Sequence, residues 1–250
     1  MTRNSVFFIA LVAAFLVAVC LSGRASAADR EQEPADMAAF LRDLGKGVSD
    51  FTTLKTEFVQ EKEMAMFREK LVMKGRIFLQ KPNKVAWHVD SPVRYSVLIT
   101  DKLIRQWDED TDKVQEISLV KNPIFQNVLN QLTVWFSGDY SSLLTINDVH
   151  RLQTDPIVLE FVPLQNNPAR KVIKSITITF RNDRKYLKQI RIREQGGDVT
   201  SINFHNTLLN VPLDKDSFEV RPSRDHADSS APWITGWRSA EAPEGVALHG

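Results

Sequence analysis

Apolar and polar positions alternate along short runs between residues 81 and 111, and turn residues separate the runs. The turn signals are Pro82-Asn83, Asp90-Ser91-Pro92, Asp101-Lys102 and residues 108–112. The alternating apolar positions of the intervening runs are Val85, Trp87 and Val89, then Tyr95, Val97 and Ile99, then Leu103 and Trp107. Because side chains two residues apart in a strand lie on the same side, this spacing predicts a meander of short antiparallel strands. Turns about every 8–12 residues are typical of an all-β barrel or sandwich.

The same alternation continues on both sides of the meander. Two long strands are predicted at 51–60 and 71–80, and Gly75 in the second predicts a bend or bulge. A further strand is predicted at 114–120. In the second half the alternating apolar positions are Ile157, Leu159, Phe161, Ile176, Ile178, Phe180, Ile190, Ile192, Ile202 and Phe204. Polar side chains lie between them, which predicts one antiparallel sheet with a dry face and a wet face.

Two segments have helical spacing instead. The apolar face of the first, residues 37–48, consists of Met37, Leu41, Leu44 and Val48. Asp36 is its predicted N-cap. The second, 123–136, includes Leu132 and is apolar on more than one face, so it is either buried on several sides or borders an apolar cavity. The sequence leaves open whether these helices simply cover the sheet or form a lid over a cavity.

The first 27 residues predict a signal peptide. Arg3 precedes an uncharged apolar run at 6–21, and Ala25-Ser26-Ala27 predicts cleavage after Ala27. An uncleaved membrane anchor is the alternative, although the run is slightly short for a span. Cys20 is the only cysteine, and Val19 before it is unfavourable for lipidation, so we expect no cysteine in the mature chain.

The remaining segments complete the predicted domain organisation. Residues 28–36 are polar and predict a flexible N-terminus, and residues 37–220 form the predicted domain. Residues 221–250 are polar and unpatterned, which predicts a disordered tail. Trp233 and Trp237 in this tail either dock on the domain or belong to the disordered segment.

Composition and motifs argue against several classes of function. The 250 residues are 43% hydrophobic with a net charge of +1, which favours no nucleic-acid surface. The five histidines have no metal-ligand spacing. Asp108, Asp110 and Asp112 begin like a calcium loop but lack its glycine and its final glutamate. No nucleophile or phosphate-binding motif is present. We therefore expect no catalytic residue, no metal and no cofactor.

Several motifs in order carry a family resemblance. They are Leu-Lys-Thr-Glu-Phe-Val-Gln at 54–60, Lys-Gly-Arg-Ile-Phe-Leu at 74–79, the Lys81-Pro82 turn and the meander strands that contain Trp87 and Trp107. Together they resemble the periplasmic outer-membrane lipoprotein carrier family (LolA-like), and the resemblance covers residues 37–220. It implies a mainly β, α+β fold: a curved antiparallel sheet forming an unclosed β-barrel, with a helical lid over an apolar cavity. It also implies a closing loop and a final short strand at 213–220.

The resemblance implies a periplasmic carrier in a Gram-negative bacterium, without enzyme activity. Such a carrier accepts the acyl chains of lipoproteins from an inner-membrane ABC-type release complex and passes them to an outer-membrane receptor. We expect a monomer that binds acylated lipoproteins or lipid. The candidate cavity residues are Phe58, Phe78, Trp87, Ile99, Trp107, Leu132, Phe161, Ile178, Phe180, Ile190 and Phe204.

Two further sites are implied. Lys81 stands where the family commonly has an arginine that latches the lid, and lysine presents a point charge instead of a five-donor fork. The hairpin-loop residues Met64, Met66 and Phe67 are either an exposed partner contact or a patch folded back on the core.

Other functions fit the same pattern. The aromatic side chains could close into a solid core, and pattern alone favours this, whereas the family resemblance favours a cavity. A carrier of another lipid or glycolipid, a solid-core interaction module and an enzyme of the same fold are the alternatives. Bound lipid distinguishes a carrier from the other two.

Overall fold

The computed structural model describes residues 33–67, 69–119 and 138–221. One antiparallel sheet of eleven strands dominates them. The strands β1 to β11 are Thr53–Glu63, Lys70–Gln80, Lys84–Ser91, Tyr95–Ile99, Leu103–Asp108, Lys113–Ser118, Asn147–Thr154, Ile157–Pro163, Ile173–Phe180, Leu187–Glu194 and Val199–Leu209. The predicted strands are therefore confirmed, because period-two alternation with many β-branched and aromatic residues favours an extended backbone over a helix.

The strand order shows how the sheet is assembled. It runs β6-β5-β4-β3-β2-β1-β11-β10-β9-β8-β7, so two meanders are joined where β1 pairs with β11. Strands β6 and β7 lie at the two edges and do not pair with each other within the described residues. The expected unclosed antiparallel sheet is thus confirmed.

The predicted irregularity at Gly75 is present. The β2–β3 register shifts between Lys74 and Gly75, which is the signature of a β-bulge. On the other side Gly75 is the partner of Phe58 in β1. The Phe58 ring covers the space that a side chain at residue 75 would occupy.

Helix α1 spans Glu33–Ser49 and begins four residues before the predicted start at Met37. Asp36 therefore lies inside the first turn and is not the N-cap, so this prediction is wrong. The proline at position 34 is tolerated there because first-turn N–H groups have no intrahelical partner. Leu41, Leu44 and Val48 are buried against the sheet, as the helical spacing predicted. No helix in the described ranges has the length and apolarity needed to cross a membrane.

Short 3₁₀ helices complete the described structure, at Tyr140–Thr145, Pro168–Lys171 and Lys215–Phe218. The last one corrects the expected final short strand at 213–220. Phe218 and Val220 in this segment are buried against the outer face of the sheet together with Phe78, Ala86, Leu98 and Trp107. The prediction of one dry and one wet face concerned the second half of the chain, whereas at β2–β5, in the first half, both faces are apolar and covered.

Several predictions fall outside the described residues. These are the signal peptide at 1–27 with Cys20, the helix at 123–136 with Leu132, and the tail with Trp233 and Trp237.

Candidate functional site

The inner face of the open sheet, on which helix α1 packs, brings most of the predicted cavity residues together. They belong to one apolar cluster that joins both meanders, helix α1 and the 140–145 segment. The predicted residues found there are Phe58, Trp87, Ile99, Phe161, Ile178, Phe180, Ile190 and Phe204. Most are fully buried, whereas Trp87 keeps part of its surface accessible.

Aromatic contacts connect strands of the inner face with one another and with the 140–145 segment that covers them. The rings of Phe58 and Trp87 lie 4.8 Å apart and are tilted by 54°. The ring of Phe180 meets that of Tyr140 edge to face at 5.6 Å. Offset and edge-to-face pairs of this kind contribute about 0.5–1.5 kcal/mol beyond area burial. The inner face is therefore held by directional contacts as well as by burial.

Two predicted cavity residues lie on the wrong face. Phe78 and Trp107 belong to the outer cluster with Phe218 and Val220, so they do not line the same interior. The reason is the strand period: Phe78 stands between the inward-facing Ile77 and Leu79 and must face outward. The indole N–H of Trp107 donates to Asp112 Oδ1 at 3.0 Å.

Sequence reasoning missed two buried tyrosines in the interior. Tyr186 follows the β9–β10 turn, and its ring contacts Phe51 at 6.1 Å and Phe204 at 5.7 Å. Burial raises the pKa of Tyr186 and of Tyr140 far above the usual range, so both phenols are neutral. The Tyr186 hydroxyl makes no hydrogen bond to any described residue. The hydroxyl is thus an unused hydrogen-bond donor in an apolar interior. Tyr186 lies outside the alternating strand positions, so the sequence pattern did not indicate its burial.

Lys81 lies at the junction between helix α1 and the sheet. Its Nζ stands 4.0 Å from the centroid of the Phe51 ring, just beyond the helix end. Its backbone N–H donates to the Thr52 carbonyl at 2.8 Å. Burial lowers the pKa of the Lys81 amine, and the nearby Asp50 carboxylate raises it. The predicted latch position therefore contacts the connection between α1 and β1.

The β1–β2 hairpin tip is exposed and anchored at its base. Met66 is 92% and Phe67 67% exposed, so these two side chains do not fold back on the core. Met64 is half-buried. The Ala65 N–H donates to Asp198 Oδ1 at 3.0 Å in the β10–β11 turn.

An ion-pair group lies below this tip. Lys62 Nζ stands 2.9 Å from Glu194 Oε1 and 3.4 Å from Asp198 Oδ2, and all three side chains are mostly buried. Charges removed from water require close partners, so this group ties β1 to the β10–β11 turn. The tip is therefore presented on a fixed base.

The described residues contain no candidate metal site. No group of three or more His, Cys, Asp or Glu residues in them could hold a metal ion. The buried histidine, His88, has a structural role: Nδ1 pairs with Ser96 Oγ and Nε2 donates to the Ser217 carbonyl, both at 2.9 Å. Burial lowers the pKa of His88, which keeps the ring neutral. His88 thus fixes the C-terminal segment on the outer face.

Comparisons with known proteins agree on the family. The family model described as outer membrane lipoprotein carrier protein LolA matches residues 49–221. An outer-membrane lipoprotein carrier protein from Coxiella burnetii is 23% identical over 186 residues, which are 72% of this chain and 82% of that protein. One of the same description from Chromohalobacter salexigens is 24% identical over 144 residues, 58% of this chain; the match spans 64% of that relative's length.

The solved structures that match this chain are more distant in sequence. A LolA superfamily protein from Nitrosomonas europaea has a TM-score of 0.37 and 8% identity, covering 73% of this chain and 97% of its own. The MucA/MucB complex of Pseudomonas aeruginosa has a TM-score of 0.46 and 12% identity, covering 74% and 61%. The family model covers most of the chain, including every described strand. This chain therefore belongs to the outer-membrane lipoprotein carrier protein family, LolA.

Proposed function

We propose that this protein is a periplasmic carrier that holds the acyl chains of lipoproteins against the inner face of its open sheet. The observation that carries the proposal is the single inner cluster that unites both meanders under helix α1. Helix α1 is the proposed lid, and residues such as the partly accessible Trp87 are the proposed first contacts of the cargo. The family to which the chain belongs supports this assignment.

Apolar burial suffices for such a carrier, and no catalysis is needed. Each acyl CH₂ moved from water into an apolar site gains about 0.8 kcal/mol. A chain held this way leaves for a more favourable apolar site without any bond being broken. The unused Tyr186 hydroxyl supplies a donor for a cargo carbonyl.

The route of the cargo follows from the same proposal. The chain is exported, loses its signal peptide after Ala27, receives lipoproteins from an inner-membrane ABC-type complex and delivers them to an outer-membrane receptor. The mature protein acts as a monomeric, non-enzymatic chaperone with domain 37–220 and a disordered tail at 221–250. Met64, Met66 and Phe67 form the contact surface for the donor or the acceptor of the cargo.

Native mass spectrometry with lipid extraction tests the proposal on residues 28–250 purified from a bacterial periplasm. We expect bound acylated peptide or lipid that is released by organic solvent. A different lipid class in the extract would assign the carrier to another lipid or glycolipid. An empty protein that also fails to bind a fluorescent fatty-acid probe would sink the carrier proposal and favour a solid-core interaction module.

The proposed latch predicts a loss of retention in Lys81→Leu. Removing a cation from an aromatic ring costs about 0.5–1 kcal/mol at a partly exposed site, so we expect retained lipid to fall about two- to fivefold. The matched control is Lys84→Leu, because Lys84 Nζ also lies 4.0 Å from a ring centroid, that of Phe218 on the outer face. Equal loss in both variants would contradict a latch at Lys81.

A further inference from the structure

Positive charge is concentrated in one part of the chain. Residues 170–193 contain nine Lys or Arg residues and one Asp, a net charge of +8. The whole chain has a net charge of +1, so the remainder carries −7. This stretch covers strand β9, strand β10 up to Arg193 and the last two residues of the 3₁₀ helix before them. The molecule is therefore electrostatically asymmetric although its total charge is nearly zero.

Strand register places part of this charge beside the exposed hairpin tip. Arg193 pairs with Val199, and Val199 pairs with Glu63 at the end of β1. Neighbouring strands are about 4.8 Å apart, so Arg193 lies about 10 Å from the base of the tip. On its other side Arg193 pairs with Ser175, next to Lys174.

The turn before β9 belongs to the same end of the sheet. The backbone N–H of Gln195 donates to the Val172 carbonyl at 2.7 Å, and its side-chain amide donates to the Arg170 carbonyl at 3.0 Å. Through Gln195 this turn adjoins the β10–β11 turn on which the tip is anchored. Lys171, Lys174 and Arg193 are all exposed there.

Four acidic groups at this end share two lysines. Lys70 Nζ lies 3.5 Å from a Glu61 oxygen and 2.8 Å from a Glu63 oxygen, and the mostly buried Lys62 lies between Glu194 at the end of β10 and Asp198 in the β10–β11 turn. Lys171, Lys174 and Arg193, in contrast, form no ion pair with any described residue. The exposed Glu69 of the tip forms none with a described residue either. Three unpaired cations and one unpaired carboxylate therefore lie at this end.

Apolar surface lies at the same end. Besides Met66 and Phe67, the neighbouring Leu71 and Val72 are 36% and 39% exposed, and Val172 is 46% exposed. Exposed apolar side chains next to unpaired cations match the interface of an anionic bilayer, where cations meet phosphates and apolar tips enter the headgroup region. Protein interfaces, in contrast, are depleted in lysine and centre on packed aromatic pockets.

We propose that this end of the sheet docks the carrier on the surface of an anionic phospholipid membrane. The docking end consists of the apolar tip residues Met66, Phe67, Leu71 and Val72 and the cations Lys171, Lys174 and Arg193. This inference rests on the proposed function, because docking would bring the carrier to the membrane surface where acyl chains are collected or delivered. It specifies that Met66 and Phe67 of the tip contact the lipid that surrounds the donor or the acceptor of the cargo.

Vesicle sedimentation tests the docking end with the protein of residues 28–250. We expect binding to vesicles of equal parts phosphatidylglycerol and phosphatidylcholine at low salt, and much weaker binding to phosphatidylcholine alone. The triple variant Lys171→Gln, Lys174→Gln, Arg193→Gln should lose about a hundredfold in partitioning to anionic vesicles, since each cation near the surface contributes about fivefold. Added salt should abolish the difference, because it screens the charges.

Matched controls keep the result specific. Lys102→Gln, Lys113→Gln, Lys215→Gln removes three exposed charges elsewhere and should leave binding within about threefold. Met66→Ser, Phe67→Ser should weaken binding about tenfold, whereas Val114→Ser, Leu152→Ser at the sheet edges should not. No sedimentation of the unaltered protein, or equal losses in the control variants, would overturn the proposal. A docking-end variant that still binds anionic vesicles but no longer binds a protein acceptor would also overturn the proposal.

The outcome is separable from that of the carrier proposal. Lipid content is measured on the same preparations before vesicles are added. A protein that neither contains lipid nor binds the fluorescent fatty-acid probe, but still docks, would refute the carrier and keep the docking end. A lipid-loaded protein that ignores anionic vesicles would refute the docking end and keep the carrier.

Discussion

Gly75→Ala is expected to destabilise the fold by about 3 kcal/mol, the upper part of the usual range for overpacking. A Cβ on residue 75 would collide with the His88 carbonyl oxygen in β3 and lie 2.8 Å from two ring atoms of Phe58. The first obstacle is backbone, which cannot rotate away, and the ring is fixed by its contact with Trp87. Urea unfolding should show a lower midpoint with an unchanged slope.

The matched control for this substitution is Gly196→Ala. Gly196 lies in the exposed β10–β11 turn, and a Cβ there meets nothing within 4 Å. Its unfolding free energy should change by no more than about 0.5 kcal/mol. If Gly75→Ala were as stable as this control, the close packing of β1, β2 and β3 at the bulge would be refuted, and with it the ring position at the centre of the proposed site.

Gly45→Ala should destabilise the protein by about 2 kcal/mol, although alanine is the better helix former by about 1 kcal/mol. Gly45 lies in helix α1, and its Cβ would collide with the Gly138 carbonyl oxygen. Gly47, two residues on, meets the Arg184 carbonyl at 3.2 Å, so Gly47→Ala should have a smaller effect. Helix α1 is thus fitted to two backbone segments at once. The measurement is again urea unfolding.

A double-mutant cycle tests the contact itself. A Cβ on Gly138 would collide with the Gly45 carbonyl, and Gly138 has φ +82°, which strains any L side chain. Each single variant already separates the two backbones, so Gly45→Ala, Gly138→Ala should cost less than the sum of the singles. Strictly additive losses would mean that the two glycines do not meet. Retained lipid should fall in both singles if α1 covers the cargo.

Within the inner cluster, packing and function make opposite demands. Side chains such as Phe58, Phe161 and Phe180 are almost fully buried, which stabilises the fold by about 1.5–3 kcal/mol each. A carrier must part some of these contacts to admit an acyl chain. The partly accessible Trp87, on the inner face and next to Phe58, is the proposed place where this begins.

The local alternation of apolar and polar residues was enough to predict most strands of the sheet. The strands that contain Trp87, Ile99 and Phe161 were predicted from alternation, and Gly75 marked the bulge, because both features depend only on neighbouring residues. The inner-face assignment of Ile178 and Phe180 also follows from period two once one face is known to be apolar. The motifs between residues 54 and 107 were sufficient for the family.

What only the tertiary structure decided was which segments cover which face. Phe78 and Trp107 were assigned to the interior because alternation separates two faces without saying that both are covered. Phe218 and Val220 cover the outer one, from a segment more than a hundred residues away. The pairing of β1 with β11, the buried Tyr186 and the anchoring of the hairpin tip on Asp198 are equally non-local. The alternation within a strand determines to which face a side chain points. The segment that covers that face can be distant in sequence, so the local sequence does not specify it.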